Sequence, residues 1–195
     1  RQFIGAASYA ASKVNLANTG TYDAVNGTAY PTWASATGCT FNGTTSNRYL
    51  KTGIILGAGF TEFSAICRFS GISSSDGFLF GALSISPNYY FWVELYVTGN
   101  DVRYNNGNGA IRSPVLTSGV LGITGEQGYR NGGVDGVGFS KLSVAAGPGE
   151  IWIGCRQYNN TVNSPIAGNI QSLSIYSATL TAGEVAAVSA AMSLL

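Results

Sequence analysis

Histidine is absent from the 195 residues. Its absence removes serine–histidine hydrolysis and the usual zinc centres from consideration. Charge is nearly as scarce, at 10% of the chain against about a quarter in ordinary domains. The ten Lys and Arg are scattered and the formal net charge is +1, so there is no electrostatic footprint for nucleic acid. So few charges among 45% hydrophobic residues also exclude disorder. No run approaches the length of a membrane span. The chain opens at Arg1 without a methionine or anything resembling a signal peptide, as expected of a processed chain or a piece of a longer one.

Only three cysteines are present, so they cannot all pair with one another. One disulfide plus a free thiol, or three free thiols, are the two arrangements left. Cys39 lies two before Phe41, Cys67 two from Ala65 and Phe69, and Cys155 two after Ile153. Alternate residues of a strand share a face, so each thiol is expected on an inward apolar face. There it acts as a small hydrophobe, which favours three free thiols.

What the chain does have is turn residues. The 27 glycines, with Ser, Thr and Asn, punctuate short apolar runs. Strands are expected at Cys39–Phe41, Tyr49–Thr52, Phe60–Ser70, Gly77–Leu83, Tyr89–Val97 and Asp101–Asn105. Further strands are expected at Val120–Thr124, Gly128–Arg130, Val134–Val137, Glu150–Arg156 and Gly168–Ser177. Such spacing predicts an all-β sandwich or barrel in one domain rather than alternating βα units. Tyr129-Arg130-Asn131-Gly132 predicts a hairpin, because Asn-Gly suits a tight type I′ turn.

Near the end, Thr181 and Glu184 form a capping box flanked by Leu180 and Val185, so a short helix should begin at Ala182. Val185, Val188 and Met192 then recur at helical spacing and should pack on the sandwich. Residues 1–38 are richer in Ala, Asn and Thr, with apolar pieces at Val14–Leu16 and Tyr30–Trp33. They read as an irregular arm, holding at most one strand, packed on a sandwich of residues 39–195.

Several ordered segments carry a family resemblance: Phe41-Asn42-Gly43-Thr44, Tyr49-Leu50-Lys51-Thr52-Gly53, Phe60-Thr61-Glu62-Phe63-Ser64-Ala65, Ile151-Trp152-Ile153-Gly154, and Gly168-Asn169-Ile170-Gln171-Ser172-Leu173-Ser174-Ile175-Tyr176 running into the capped helix. Over about Phe41 to Met192 the chain resembles laminin-G-like members of the concanavalin-A-like lectin/glucanase superfamily. The resemblance implies a two-sheet antiparallel jelly-roll sandwich. The upstream pieces Gly5-Ala6-Ala7-Ser8-Tyr9, Val14-Asn15-Leu16-Ala17, Tyr22-Asp23-Ala24 and Pro31-Thr32-Trp33 are similar to versions encoded by bacteriophage and metagenomic viral genomes. That likeness implies a virion surface or extracellular setting, with other virion subunits as neighbours.

Glucanases of that superfamily place alternating acids on one strand, and glycoside hydrolysis needs two carboxyls at a set separation. The acids here are Asp23, Glu62, Asp76, Glu94, Asp101, Glu126, Asp135, Glu150 and Glu184, and no two lie within three residues. Lyases of the same scaffold lean on histidine. The chain is therefore expected not to be an enzyme and to need no cofactor. Laminin-G-like domains often hold a rim calcium, and Asp76 and Asp101 lie in loops, yet neither matches a run of oxygen ligands. No metal is expected. Glycosylation sequons at Asn26, Asn42 and Asn159 matter only in a eukaryotic secretory host.

Tyr89 to Val97 carries the most distinctive pattern of the chain. Phe91, Val93, Leu95 and Val97 should face the core, which sends Tyr90, Trp92, Glu94 and Tyr96 outward. Arg103 alternates outward on the next strand, within reach of Glu94. Outward aromatics mark contacts, and the concave sheet of concanavalin-type sandwiches is where sugars lie. These rings either form a platform for a glycan, such as a host cell-surface polysaccharide, or sit under the arm, the helix or a neighbouring copy. Trp152 carries the same two readings. Tyr104-Asn105-Asn106-Gly107-Asn108 and Tyr158-Asn159-Asn160 are either rim loops or plain turns. The expected function is a non-catalytic adhesion or surface-decorating module. The alternative is a structural protein forming a homo-oligomer or larger assembly, with a hydrolase or lyase a distant third.

Overall fold

The structure is a computed structural model that describes residues 1–43, 48–55, 62–73, 76–85, 88–106, 110–112, 114–136, 138–139 and 149–195. A short helix, α1 (Tyr9–Ser12), begins where the Ser8 side chain accepts the Ala11 N–H. The strands are β1 (Val25–Asn26), β2 (Thr32–Ala34), β3 (Gly38–Asn42), β4 (Leu50–Ile55), β5 (Ser64–Ser70), β6 (Gly77–Ile85), β7 (Asn88–Tyr96) and β8 (Asp101–Asn105). They continue with β9 (Ala110–Arg112), β10 (Gly119–Thr124), β11 (Gln127–Arg130), β12 (Gly133–Val134), β13 (Glu150–Ile153), β14 (Arg156–Tyr158), β15 (Thr161–Asn163) and β16 (Ala167–Tyr176). Helix α2 (Ala182–Ser193) comes last. No helix among the described residues is long and apolar enough to cross a membrane.

Two sheets stack face to face. The smaller runs β12-β11-β10-β5-β16-β3-β2, and the larger β1-β4-β13-β6-β7-β8-β9 with β14 and β15 alongside. Period-two alternation puts Phe91, Val93 and Leu95 of β7 in one buried cluster with Cys67 and Phe69 of β5 and Leu121 and Ile123 of β10. The expected jelly-roll sandwich with a short C-terminal helix is what forms. The Asn131-Gly132 loop closes β11 on β12, with Arg130 opposite Gly133 and Asn131 at φ 49°.

Helix α2 is fixed at its start. Thr181 Oγ1 accepts the Glu184 N–H at 3.3 Å, and Glu184 Oε2 accepts the Thr181 N–H at 2.8 Å. The bonds that the Thr181 N–H and hydroxyl donate to it hold the Glu184 carboxyl below its usual range. Val185 and Met192 then pack with Leu180 on Ile66, Val120 and Tyr129, on the outer side of the smaller sheet. Arg68 Nη1 donates to the Met192 carbonyl at 2.7 Å and ties down the far end.

Four expectations need correction. Glu150–Arg156 is not one strand: it breaks at Gly154, whose φ of +83° suits glycine. A Cβ there would also lie 2.2 Å from the Phe41 ring. Beyond the break β14 pairs parallel with β6, Gln157 opposite Ala82, and β15 returns beside it through an Asn159-Asn160 turn. Cys155 therefore leaves the inter-sheet core and lies with Tyr49 and Trp152 in a separate cluster, whereas Cys39 and Cys67 are in the main core. All three thiols are free and buried.

Tyr104 and Asn106 are not rim residues. Tyr104 is buried, its hydroxyl 2.7 Å from Asp135 Oδ2, and Asn106 Nδ2 donates to the Gly125 carbonyl at 2.8 Å. The arm holds two strands rather than one. Phe3 lies in the main core, and Trp33 Nε1 on β2 donates to the Phe3 carbonyl at 2.8 Å. Tyr30–Trp33 overlaps β2, while Val14–Leu16 forms no strand. Phe60, Thr61, Gly107, Asn108 and Val137 lie outside the described residues.

Candidate functional site

The outer face of the larger sheet is assembled by register. Opposite Glu94 of β7 stand Phe78 of β6 and Arg103 of β8, and opposite Trp92 stand Gly81 and Asn105. Phe78 and Gly81 are three apart, so strict alternation would send them to opposite faces. A bulge between Phe78 and Phe80 corrects the count. It turns Leu79 and Phe80 inward and brings Phe78 onto the outer face. There its ring meets Trp92 edge-on at 5.2 Å. Gly81 leaves room for this approach, since a Cβ built on it would lie 2.4 Å from Trp92 Cβ.

Tyr90, Trp92, Glu94, Tyr96 and Arg103 thus share one face, as their spacing predicts. Their exposure is less than predicted. Trp92 is only 9% exposed, because Phe78 and the Arg156 guanidinium cover it, the latter 4.3 Å from the Phe78 ring and 5.7 Å from the indole. Tyr90, Glu94, Tyr96 and Arg103 are half-buried around it. Neither the arm nor α2 supplies the cover: it comes from β14, which no alternation in the sequence announces. Arg156 is the residue that sequence reasoning missed. The Asn159-Asn160 pair between Arg156-Gln157-Tyr158 and Thr161-Val162-Asn163 was the available signal for its hairpin.

Charge on this face is paired but imperfectly bonded. Arg103 lies 3.6 Å from both Glu94 and Asp101, with its guanidinium 3.7 Å from the Tyr96 ring. Arg156 Nη2 donates to Asn163 Oδ1 at 2.6 Å. Burial pushes the Glu94 carboxyl above its usual range, opposed by Arg103 and Arg156. Burial likewise lowers the Arg156 guanidinium, opposed by Glu94. Three donors on the face have no acceptor among the described residues: Trp92 Nε1, Arg103 Nε and Arg156 Nε. Buried donors are normally satisfied, so three on one patch call for a reason. Asp76 is otherwise engaged, accepting the Thr98 N–H at 2.8 Å.

Trp152 on the same sheet offers a control. Its ring stacks on Tyr49 at 4.2 Å and its Nε1 donates to Glu150 Oε2 at 3.0 Å. Glu150 also accepts the Gly53 N–H at 2.7 Å. Trp152 is therefore buried and satisfied, and its outward reading gives way to a structural one.

The fold is shared with pentraxins and sialidase CBM40 domains. A heptameric SAP-like pentraxin from Limulus polyphemus superposes with a TM-score of 0.57 at 18% identity, over 77% of this chain and 80% of that one. The CBM40 of the Ruminococcus gnavus IT-sialidase, solved with α2,3 sialyllactose, gives 0.57 at 12% identity, over 87% of this chain and all of that one. A Trypanosoma rangeli sialidase in complex with DANA gives 0.58 at 14% identity, but this chain covers 29% of its length. No protein-family model and no curated protein matches the sequence.

Proposed function

We propose that the chain is a non-catalytic carbohydrate-binding module, displayed on a virion or another extracellular assembly. It takes its glycan on the outer face of the larger sheet, at Tyr90, Trp92, Glu94, Tyr96, Arg103 and Arg156. The observation that carries this reading is the group of unspent donors on an aromatic patch. Trp92 Nε1, Arg103 Nε and Arg156 Nε lie among half-buried tyrosines with no partner among the described residues. Sugar hydroxyls supply acceptors, and sugar rings stack on aromatic faces. The guanidinium heads lie over Tyr96, Phe78 and Trp92, on long stems that can swing aside. The R. gnavus relative of this fold is solved with a sialylated sugar, which supports a glycan as the ligand. The viral setting rests on the resemblance of residues 5–33 to phage-encoded domains.

Trp92 is already covered within its own chain, so a structural subunit would make its contacts through Tyr90, Tyr96 and Arg103 rather than through the indole.

A glycan array tests the proposal. The wild-type chain should retain specific sugars, and Tyr96→Ala and Arg156→Ala, with unchanged circular dichroism, should lose them. A wild-type chain that binds no sugar, with Tyr96→Ala dissociating an oligomer in light scattering, overturns it in favour of a structural subunit. Turnover of a polysaccharide that Glu94→Gln abolishes overturns the non-catalytic part.

A further inference from the structure

Away from the aromatic face, the arm, strand β16 and the end of α2 border an open pocket of about 400 Å³. Ile54, Phe63, Ile175 and Met192 give it apolar walls, and Arg1 lines it as well. The volume falls within the range of small-molecule pockets. None of its lining residues belongs to the aromatic face described above.

One polar feature of this pocket is unaccounted for. Arg1 Nε and Nη2 are buried without a partner among the described residues. Those two nitrogens form one edge of the guanidinium, the edge that grips a carboxylate with two parallel hydrogen bonds. No carboxylate of the described chain takes that position. Asp23 acts on Arg1 only through its field, and its oxygens accept the Asn15 and Gly20 N–H groups at 2.7 and 3.2 Å. A half-buried cation with an idle fork, opening on apolar walls, is the complement of an amphipathic monoanion. A neutral sugar would leave the charge unmatched, and a purely apolar guest would leave the guanidinium edge unbonded.

We infer that this pocket binds a small organic carboxylate with an apolar body. The carboxylate is gripped by Arg1 Nε and Nη2, and the hydrocarbon lies against Ile54, Phe63, Ile175 and Met192.

Calorimetry with sodium octanoate tests this, with acetate supplying the head without the tail and octanol the tail without the charge. Octanoate should bind one to one, and acetate and octanol each at least roughly tenfold more weakly. Arg1→Gln should weaken octanoate by roughly tenfold or more, as loss of a charge-assisted pair does. Ser172→Ala, on the opposite face of β16, should leave octanoate binding unchanged. The inference fails if octanoate does not bind, if octanol binds as well, or if Arg1→Gln leaves affinity unchanged. Because the two sites share no residue, none of these results bears on the glycan array.

Discussion

The two outer faces of the sandwich are built from the same strand alternation and end differently. On the smaller sheet, Ile66, Val120 and Tyr129 are apolar and sealed by α2. On the larger sheet, the described residues cover Trp92, Glu94, Tyr96 and Arg103 with side-chain heads and the β14–β15 hairpin. The first cover is a capped helix, and the second consists largely of two arginines. A face closed by a helix is structural. One closed by long charged side chains can open without unfolding anything.

The largest expected effect contrasts the two covers directly. Val185→Asp puts a carboxylate at a 1% exposed position under α2 and should cost about 3–5 kcal/mol, seen as a sharp fall in melting temperature. Tyr96→Ala on the other face should cost about 1 kcal/mol, mainly its contact with Arg103. Equal losses at the two sites would erase the distinction. Gly81→Ala comes next. Its methyl would press on Trp92, and overpacking of this kind costs about 1–3 kcal/mol. Tryptophan fluorescence should shift as the indole is displaced, and sugar binding should fall with it.

Thr181→Ala should lower stability by about 1 kcal/mol through loss of the cap, with sugar binding unchanged. The smallest effect has the opposite sign. Glu94 is held above its usual range, chiefly by burial, so its ionised form is disfavoured in the folded state. Its contribution to stability is fullest below the ordinary carboxylate range and is lost as pH rises through the elevated folded-state value. Glu94→Gln should therefore melt slightly higher than wild type at neutral pH. That gap should close on acidification, as read from melting curves across pH. A lower-melting variant at neutral pH would mean that the Arg103 pairing outweighs burial.

Much of the sandwich was legible because local rules and tertiary packing agree there. β7 and β8 alternate without interruption, so Phe91 and Arg103 fall on the faces their spacing assigns. The capping box located α2 for the same reason: both partners are three residues apart. What stayed hidden depends on breaks in the count or on distant neighbours. The Phe78/Phe80 bulge and the Gly154 reversal each shift a face without leaving a mark in the alternation. The cover over Trp92 comes from Arg156, far along the chain, and only the folded register brings them together. Sequence reasoning therefore placed the five expected site residues on one face and overestimated how bare that face is.

The divided placement of the thiols has a practical consequence. Cys39 and Cys67 lie between the sheets and Cys155 lies under Tyr49 and Trp152. Burial raises all three, Cys39 to about 12, so none reacts readily while covered. The protein thus carries built-in reporters of its own breathing: alkylation at Cys155 would time local opening of the larger sheet, and alkylation at Cys67 would time separation of the two layers.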